Sequence, residues 1–245
     1  MIWSDEFNGS TLDSTKWTHE TGYGSWGWGN DEWQYYDTNS TSVASENLKI
    51  TANTSGTPGK RNGTVTSARI ITKNKFSFKY GKIEARMKVP LKNGLWPAFW
   101  MLGSNIDTVS WPNCGEIDIL EMFNTYGSNN RTANFAVHWS NATEVCNGCG
   151  SREYTSDKHV AASSLTTGYH VYSAVWTPCS INGYIDDQLY FSLSINTADK
   201  TEFHEPFFIL LNIAVGGTLG GTNMTSNWPQ EMLVDYVRVY QQSGS

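Results

Sequence analysis

Residues Lys82–Val89, "KIEARMKV", alternate without a break: Ile83, Ala85, Met87 and Val89 fall on one side, Lys82, Glu84, Arg86 and Lys88 on the other. A period of two belongs to an extended chain with one face buried and one in water, and a helix cannot satisfy it. The segment reads as a half-buried antiparallel strand. "LWPAFWML", "NFAVHW", "YHVYSAVW", "FFILLNIAV" and "MLVDYVRVY" read as further strands, apolar or aromatic on both faces. "INGYIDDQLYF" reads as a hairpin turning at Asp186–Asp187. Clusters such as "TANTSGTPGKRNGT" and "VGGTLGGTNMTSN" punctuate these runs, and only "NTADKTEF" and "PQEM" suggest helical turns. No repeat, linker or charge run divides the chain. The expectation is an all-β protein: one domain over 1–241 with a short tail at 242–245, built as two antiparallel sheets packed face to face. One of the sheets is expected to curve into a cleft.

The composition narrows the partners. Charged residues are 16% of the 245 and hydrophobic ones 39%, so Ser, Thr, Asn and Gly must cover much of the surface. Eleven Trp, twelve Tyr and ten Phe exceed what a core uses; exposed aromatic faces suit the apolar C–H surface of a pyranose. The net charge is −6 and no Lys/Arg run stands out, which argues against nucleic acid or an anionic membrane as partner. No apolar run reaches the roughly 18 residues of a membrane-spanning helix. The opening "MIWSDEF" has neither the basic start nor the apolar core of a signal peptide. Seven N-x-Ser/Thr sequons begin at Asn8, Asn39, Asn53, Asn62, Asn130, Asn141 and Asn223, a number that an Asn/Ser/Thr-rich chain produces by chance. A mature secreted monomer is the expectation.

Two motifs lead away from chemistry. Cys146-x-x-Cys149 is a local disulfide, half of a metal site or a pair of thiols; a zinc site needs four ligands, and no second pair follows. Cys114 and Cys179 have no evident partner. "GYGSWG" (22–27) matches G-x-G-x-x-G, but it neither follows a β-branched strand nor opens a helix. Its Tyr23, Trp26 and Trp28 suit a sugar-contacting loop better.

The chemistry lies in "GEIDILEMF", 115–123. On a regular strand Glu116 and Asp118 share a face and Glu121 takes the other. One extra residue, Ile119 or Leu120, would bulge the strand and return Glu121 to the face of its fellow acids. Retaining glycoside hydrolysis needs two carboxyl groups about 5–5.5 Å apart, one as nucleophile and one as acid/base. Two glutamates four ladder positions apart start with Cα atoms roughly 13 Å apart, a gap that sheet curvature and long side chains can close. An aspartate between them can hydrogen-bond the nucleophile. Three acids on a strand are more often a solvated face, yet here the neighbours are Trp96, Trp100, Trp111 and Phe123.

With "GLWPAFWML" and "WPNC" before it, "GEIDILE" resembles the signature of glycoside hydrolase family 16. The bulged E-x-D-x-x-E is similar to the laminarinase (endo-β-1,3-glucanase) branch. The resemblance extends through "WSDEFNG", "GWGNDEWQYY", "TSARIIT", "YGKIEARMKVP", "AVHW", "LNIAVGG" and "PQEMLVDYVRVYQ". It implies a concanavalin A-like β-jelly-roll whose concave sheet binds β-1,3-glucan, with no cofactor for catalysis. It implies Glu116 as nucleophile, Asp118 as its hydrogen-bonding assistant and Glu121 as acid/base. Trp100 and Trp111 match sugar-stacking positions, with Trp96 beside them. Asn30 and Arg69 match residues that bind hydroxyls on the non-reducing side, and His138 matches a cleft position near the acid/base.

By alternation Asp235 shares a face with Leu233, Val237 and Val239, an expensive place for an uncompensated carboxylate. The resemblance implies a structural Ca²⁺ there, held by Asp235 and by backbone carbonyls at Glu6 and Glu46, oxygen donors suited to a hard cation. A bond to backbone or to an arginine is the alternative. Two segments, both expected to be loops bordering the cleft, depart from the family pattern: "VGGTLGGTNMTSNWP", whose Trp228 comes late, and "SNATEVCNGCGSREY" after His138. Two other readings stay open: a β-glucan-binding lectin without catalysis, and an enzyme for mixed-linkage glucan or a galactan.

Overall fold

The structure is a computed structural model describing residues 1–245 except 91, 124–129, 147, 148, 226 and 243–245, with backbone alone over 141–151. Its strands begin with β1 (Trp3–Asp5), β2 (Thr18–Glu20), β3 (Tyr35–Tyr36), β4 (Thr41–Ala44), β5 (Asn47–Thr54) and β6 (Val65–Ser67). Next come β7 (Arg69–Ile71), β8 (Gly81–Lys88), β9 (Leu95–Gly103), β10 (Glu116–Glu121), β11 (Thr132–Cys146) and β12 (Cys149–Val160). The last are β13 (His170–Trp176), β14 (Ser180–Ile185), β15 (Gln188–Ser194), β16 (Phe207–Val215) and β17 (Gln230–Tyr240).

Among the described residues they form two sheets. The seven-stranded one runs β12-β11-β10-β9-β16-β7-β2. The ten-stranded one runs β15-β14-β13-β8-β17-β5-β6-β3, with β1 added to β17 and β4 to β5. The pairing is antiparallel except between β3 and β6. Ile83, Ala85, Met87 and Val89 are buried as their alternation predicts. They meet Phe99, Met101, Ile117, Phe135, Val137, Leu211 and Ile213 of the other sheet in one continuous core. Burial of such side chains, about 1.5–3 kcal/mol each, is what holds the sheets face to face. The hairpin turn falls at Asp186 and Asp187, both at positive φ (48° and 62°), the geometry that matches strand twist.

Four local expectations change. "PQEM" is not helical: β17 begins at Gln230. "NTADKTEF" yields only a short 3₁₀ turn, Thr201–His204, and unanticipated single helical turns occur at Ile106–Val109 and Gly217–Gly220. The segment after His138 is no loop but the tip of a long hairpin, where Cys146 and Cys149 face each other as backbone partners. Whether their thiols are joined lies outside the described side chains. Asp235 does not share a face with Val237 and Val239. The ladder to β8 shifts register between Val234 and Tyr236, so Met232, Val234, Val237 and Val239 are the buried set. Asp235 is thereby turned outward, where Arg86 pairs with it at 2.5 Å. Glu6 is bound through both oxygens by Arg238, at 3.0 and 2.7 Å, and Glu46 is exposed in the β4–β5 turn.

Candidate active site

Strand β10 enters the seven-stranded sheet from Gly115, whose φ of +75° favours glycine. A Cβ there would press on Phe207 at 2.9 Å and Glu202 at 3.0 Å, so the turn that launches Glu116 admits no side chain. Glu116 and Asp118 then pair with Leu102 and Trp100 of β9, and with His138 and Ala136 of β11. The next partners break step. Asp118 and Leu120 face the adjacent residues Trp100 and Phe99 of β9, leaving Ile119 as the extra residue. On the β11 side three steps of β10, Asp118 to Glu121, span two steps from Ala136 to Asn134. Glu121 is back in phase with Glu116 and Asp118, while Ile117, Ile119, Leu120 and Met122 all join the core.

Each acid has its own surroundings. Glu116 accepts the indole N–H of Trp111 at 2.7 Å. Glu121, 7% exposed, accepts from Trp96 Nε1 at 2.9 Å and from Asn134 Nδ2 at 3.1 Å. Asp118 is 3% exposed, and its Oδ2, 3.2 Å from His138 Nε2, is poorly aligned for a hydrogen bond and otherwise unpartnered. Ligand atoms of Glu116, Asp118 and His138 lie within 4.8 Å of one another. Burial pushes Glu116 up to about 8, and the charge of Asp118 adds to it. Burial raises Asp118 well above the carboxylate range, with Glu121 as the next contributor. Glu121 is raised by burial as well, against the pull of its two donors. Burial lowers His138, which leaves a neutral imidazole at neutral pH. Three carboxylates crowded in low dielectric share protons, and fixed donors decide where these sit. Among the described residues Glu116 and Glu121 accept N–H donors and Asp118 accepts none, which favours Asp118 as the holder of a shared proton.

The other predicted residues gather on the same face. Trp96 and Trp100 are both turned to the acids, but Trp96 is 8% exposed and spends its N–H on Glu121. Trp111 is 42% exposed. Trp100 donates to Asn212 Oδ1 at 2.7 Å, and the Arg69 guanidinium lies between the rings of Trp100 and Trp28, 4.8 and 4.7 Å from their centres. Glu20 pairs with Arg69 at 2.5 Å. Asn30 reaches Glu32, a buried carboxylate that also accepts from Gln34 at 2.6 Å and Tyr36 at 3.1 Å. Tyr36 in turn accepts from Asn212 at 3.2 Å, which joins Asn30 to Trp100 through buried polar groups. Asp235 lies on β17 of the other sheet, Glu6 follows β1 and Glu46 sits in the β4–β5 turn, and none of them takes part here. Sequence reading missed Asn134, Glu32, Tyr36, Asn212 and Glu20. Asn134 had a usable signal, since it lies four residues before His138 and shares its strand face; the rest required the register of strands distant in sequence.

A β-sandwich with paired glutamates and indoles on one sheet face is the architecture of a carbohydrate-active protein, and comparison with known proteins makes the class specific. A family profile described as "Beta-porphyranase A-D, GH16 domain" matches residues 2–242. Over 99% of its length the chain is 36% identical to glucan endo-1,3-beta-glucosidase A1 of Niallia circulans. Over all of it, the chain is 37% identical to the clotting factor G alpha subunit of Tachypleus tridentatus. It spans 38% and 34% of those two proteins. The laminarinase catalytic domain of Thermotoga maritima superposes with a TM-score of 0.85 at 36% identity, covering 99% of this chain and 98% of that one. The chain belongs to glycoside hydrolase family 16, and its fold is the jelly-roll sandwich of that family's laminarinases.

Proposed function

We propose that this chain is a retaining endo-β-1,3-glucanase acting on laminarin-like glucans. The observation that carries the reading is the bulge at Ile119, which puts Glu121 on the same face as Glu116 and Asp118. Glu116 attacks the anomeric carbon as a carboxylate, the glycosidic C–O bond breaks, and the proton of Glu121 goes to the leaving oxygen. Glu121, now ionised, takes a proton from water; that water's oxygen displaces Glu116 from the anomeric carbon, and retention results. Protonated Asp118 no longer repels Glu116, and the Trp111 N–H favours the ionised nucleophile against the burial that raises it. Burial holds Glu121 protonated for the first step, the division of labour two catalytic carboxyls require.

Release of reducing ends from laminarin, lichenan, agarose and carrageenan, measured side by side, tests the activity and its substrate. Laminarin is expected to be cut fastest, and Glu116→Ala and Glu121→Ala are each expected to lose at least a thousandfold. Activity of either within tenfold of wild type would sink the assignment. Binding to laminarin without new reducing ends would favour the lectin reading, against which all three acids being present argues.

The reading carries two further expectations: a secreted monomer, and a structural calcium beside Asp235. Strands β1 and β5 both pair with β17 next to that residue, which favours carbonyls of Glu6 and Glu46 as further donors. Calcium there would hold the junction of three strands, and Asp235 would exchange Arg86 for it.

A further inference from the structure

The catalytic face crosses the strands, so each neighbouring strand carries it one step of about 4.8 Å, close to the length of one pyranose ring. From β10 one arm passes Trp100 on β9, Asn212 on β16 and Arg69 on β7. Among the described residues the opposite arm is shorter, with β11 and β12 alone. There Tyr154 is the cross-strand partner of His138, and Arg152 that of Ser140. The Tyr154 ring stacks on His138 at 5.6 Å and 23°. Arg152 holds its guanidinium 5.0 Å from the Tyr154 ring centre and 5.8 Å from that of Trp111. Trp111, in turn, is bonded to Glu116 and lies 6.3 Å from His138. An aromatic and cationic wall therefore runs from Glu116 to the sheet edge, and Arg152 and Tyr154 are exposed along it.

We propose that Tyr154 and Arg152, with Trp111, form a subsite for two glucosyl residues on the β11–β12 side of the cleaved bond. The proposal rests on the glucanase reading; if Arg69 lies on the non-reducing side, as the family resemblance implies, this arm receives the leaving group. Trp111 offers apolar ring surface to one sugar, and Tyr154, packed against His138 and Arg152, offers its exposed edge and hydroxyl to the next. A guanidinium laid over two aromatic faces is ordered through its π surface, leaving its in-plane N–H fork to donate to sugar hydroxyls. Two strands on this side match two sugars. The residues come from the hairpin whose sequence departs from the family pattern.

Arg152→Ala and Tyr154→Ala test it, with thermal unfolding to check the fold. Two readouts are taken: the cleavage positions in reducing-end-labelled laminarihexaose, and the affinity for unlabelled laminarihexaose by calorimetry with Glu116→Ala added to every protein so that the ligand stays intact. Each variant is expected to reduce cleavage that places two sugars on the β11–β12 side at least fivefold relative to cleavage that places one. Each is expected to weaken binding at least fivefold, and Arg152→Lys to recover only part of the loss. Unchanged cleavage positions together with affinity within twofold of wild type would overturn the subsite. If the wild type leaves the hexaose uncut yet the variants still lose affinity, the subsite stands and the hydrolase reading falls.

Discussion

Trp96 donates its indole N–H to Oε1 of Glu121 at 2.9 Å. The bond stabilises the ionised carboxylate and so opposes the burial that raises it. Trp96→Phe keeps the aromatic bulk and removes the donor. Glu121 should then hold its proton to higher pH, and the alkaline limb of the kcat/KM profile should move up by as much as about one pH unit. Its turnover should fall, because the carboxyl loses one of its two anchors. An alkaline limb that stays in place or moves down would show that another group controls it.

Asp118→Asn and Asp118→Ala separate the proton from the charge. If Asp118 works as a neutral donor to Glu116, the amide can replace it and alanine cannot. We expect Asp118→Asn to lose roughly tenfold and Asp118→Ala more than a hundredfold in kcat on laminarin. Equal losses would mean that the ionised form of Asp118 is the working one.

Of the bulges in β10 and β17, only the first was visible in the sequence. In β10 the acids stand out against an apolar run, so the odd spacing from Asp118 to Glu121 exposes the inserted residue. In β17 an apolar residue, Val234 or Val237, lies on either side of the irregularity, and unbroken alternation looks equally good until the register with β8 is known. Hence the core strands and the shared face of the three acids were legible, while the surroundings of Asp235 were not. Strand β12 failed for another reason: as an exposed edge strand, "REYTSDKH" lacks the apolar alternation that burial imposes. The Glu32–Tyr36–Asn212 network joins β3 and β16 over 176 residues of separation, and no local pattern encodes it.

Arg69 is packed between Trp28 and Trp100 and paired with Glu20. Lysine keeps the charge but neither the planar stacking nor the fork. Arg69→Lys should raise KM for laminarin about tenfold while kcat changes less than threefold, the pattern of a residue that binds ground and transition state alike. A fall in kcat with unchanged KM would place Arg69 in the chemistry instead.

Calcium at Asp235 is tested by thermal unfolding. Millimolar calcium should raise Tm above that in chelator by several degrees, since a ligand bound only to the native state stabilises it by mass action. Asp235→Ala should abolish the difference. Identical melting with calcium and chelator would leave Arg86 as the sole partner of Asp235.

The acid cluster also has a stability signature, and its sign follows from the direction of the shifts. Glu116 is pushed up to about 8 from an ordinary 4.5, and Asp118 and Glu121 are raised too. Between those values the native protein retains protons that the unfolded chain has released, so stability falls as pH rises through this window. Below about pH 4.5 both states are protonated and the penalty is absent. Glu116→Gln removes one charge and keeps an oxygen that can accept the Trp111 N–H. It should therefore be more stable than wild type at pH 8 by roughly 1–3 kcal/mol, a Tm gain of several degrees, with the gain shrinking to nothing near pH 4.5. The same variant should be inactive, so stability and activity are opposed at one residue. Parallel melting curves of the two proteins across pH 4–8.5 measure the effect; a constant offset, or a gain largest at low pH, would refute the crowding of charge on this face.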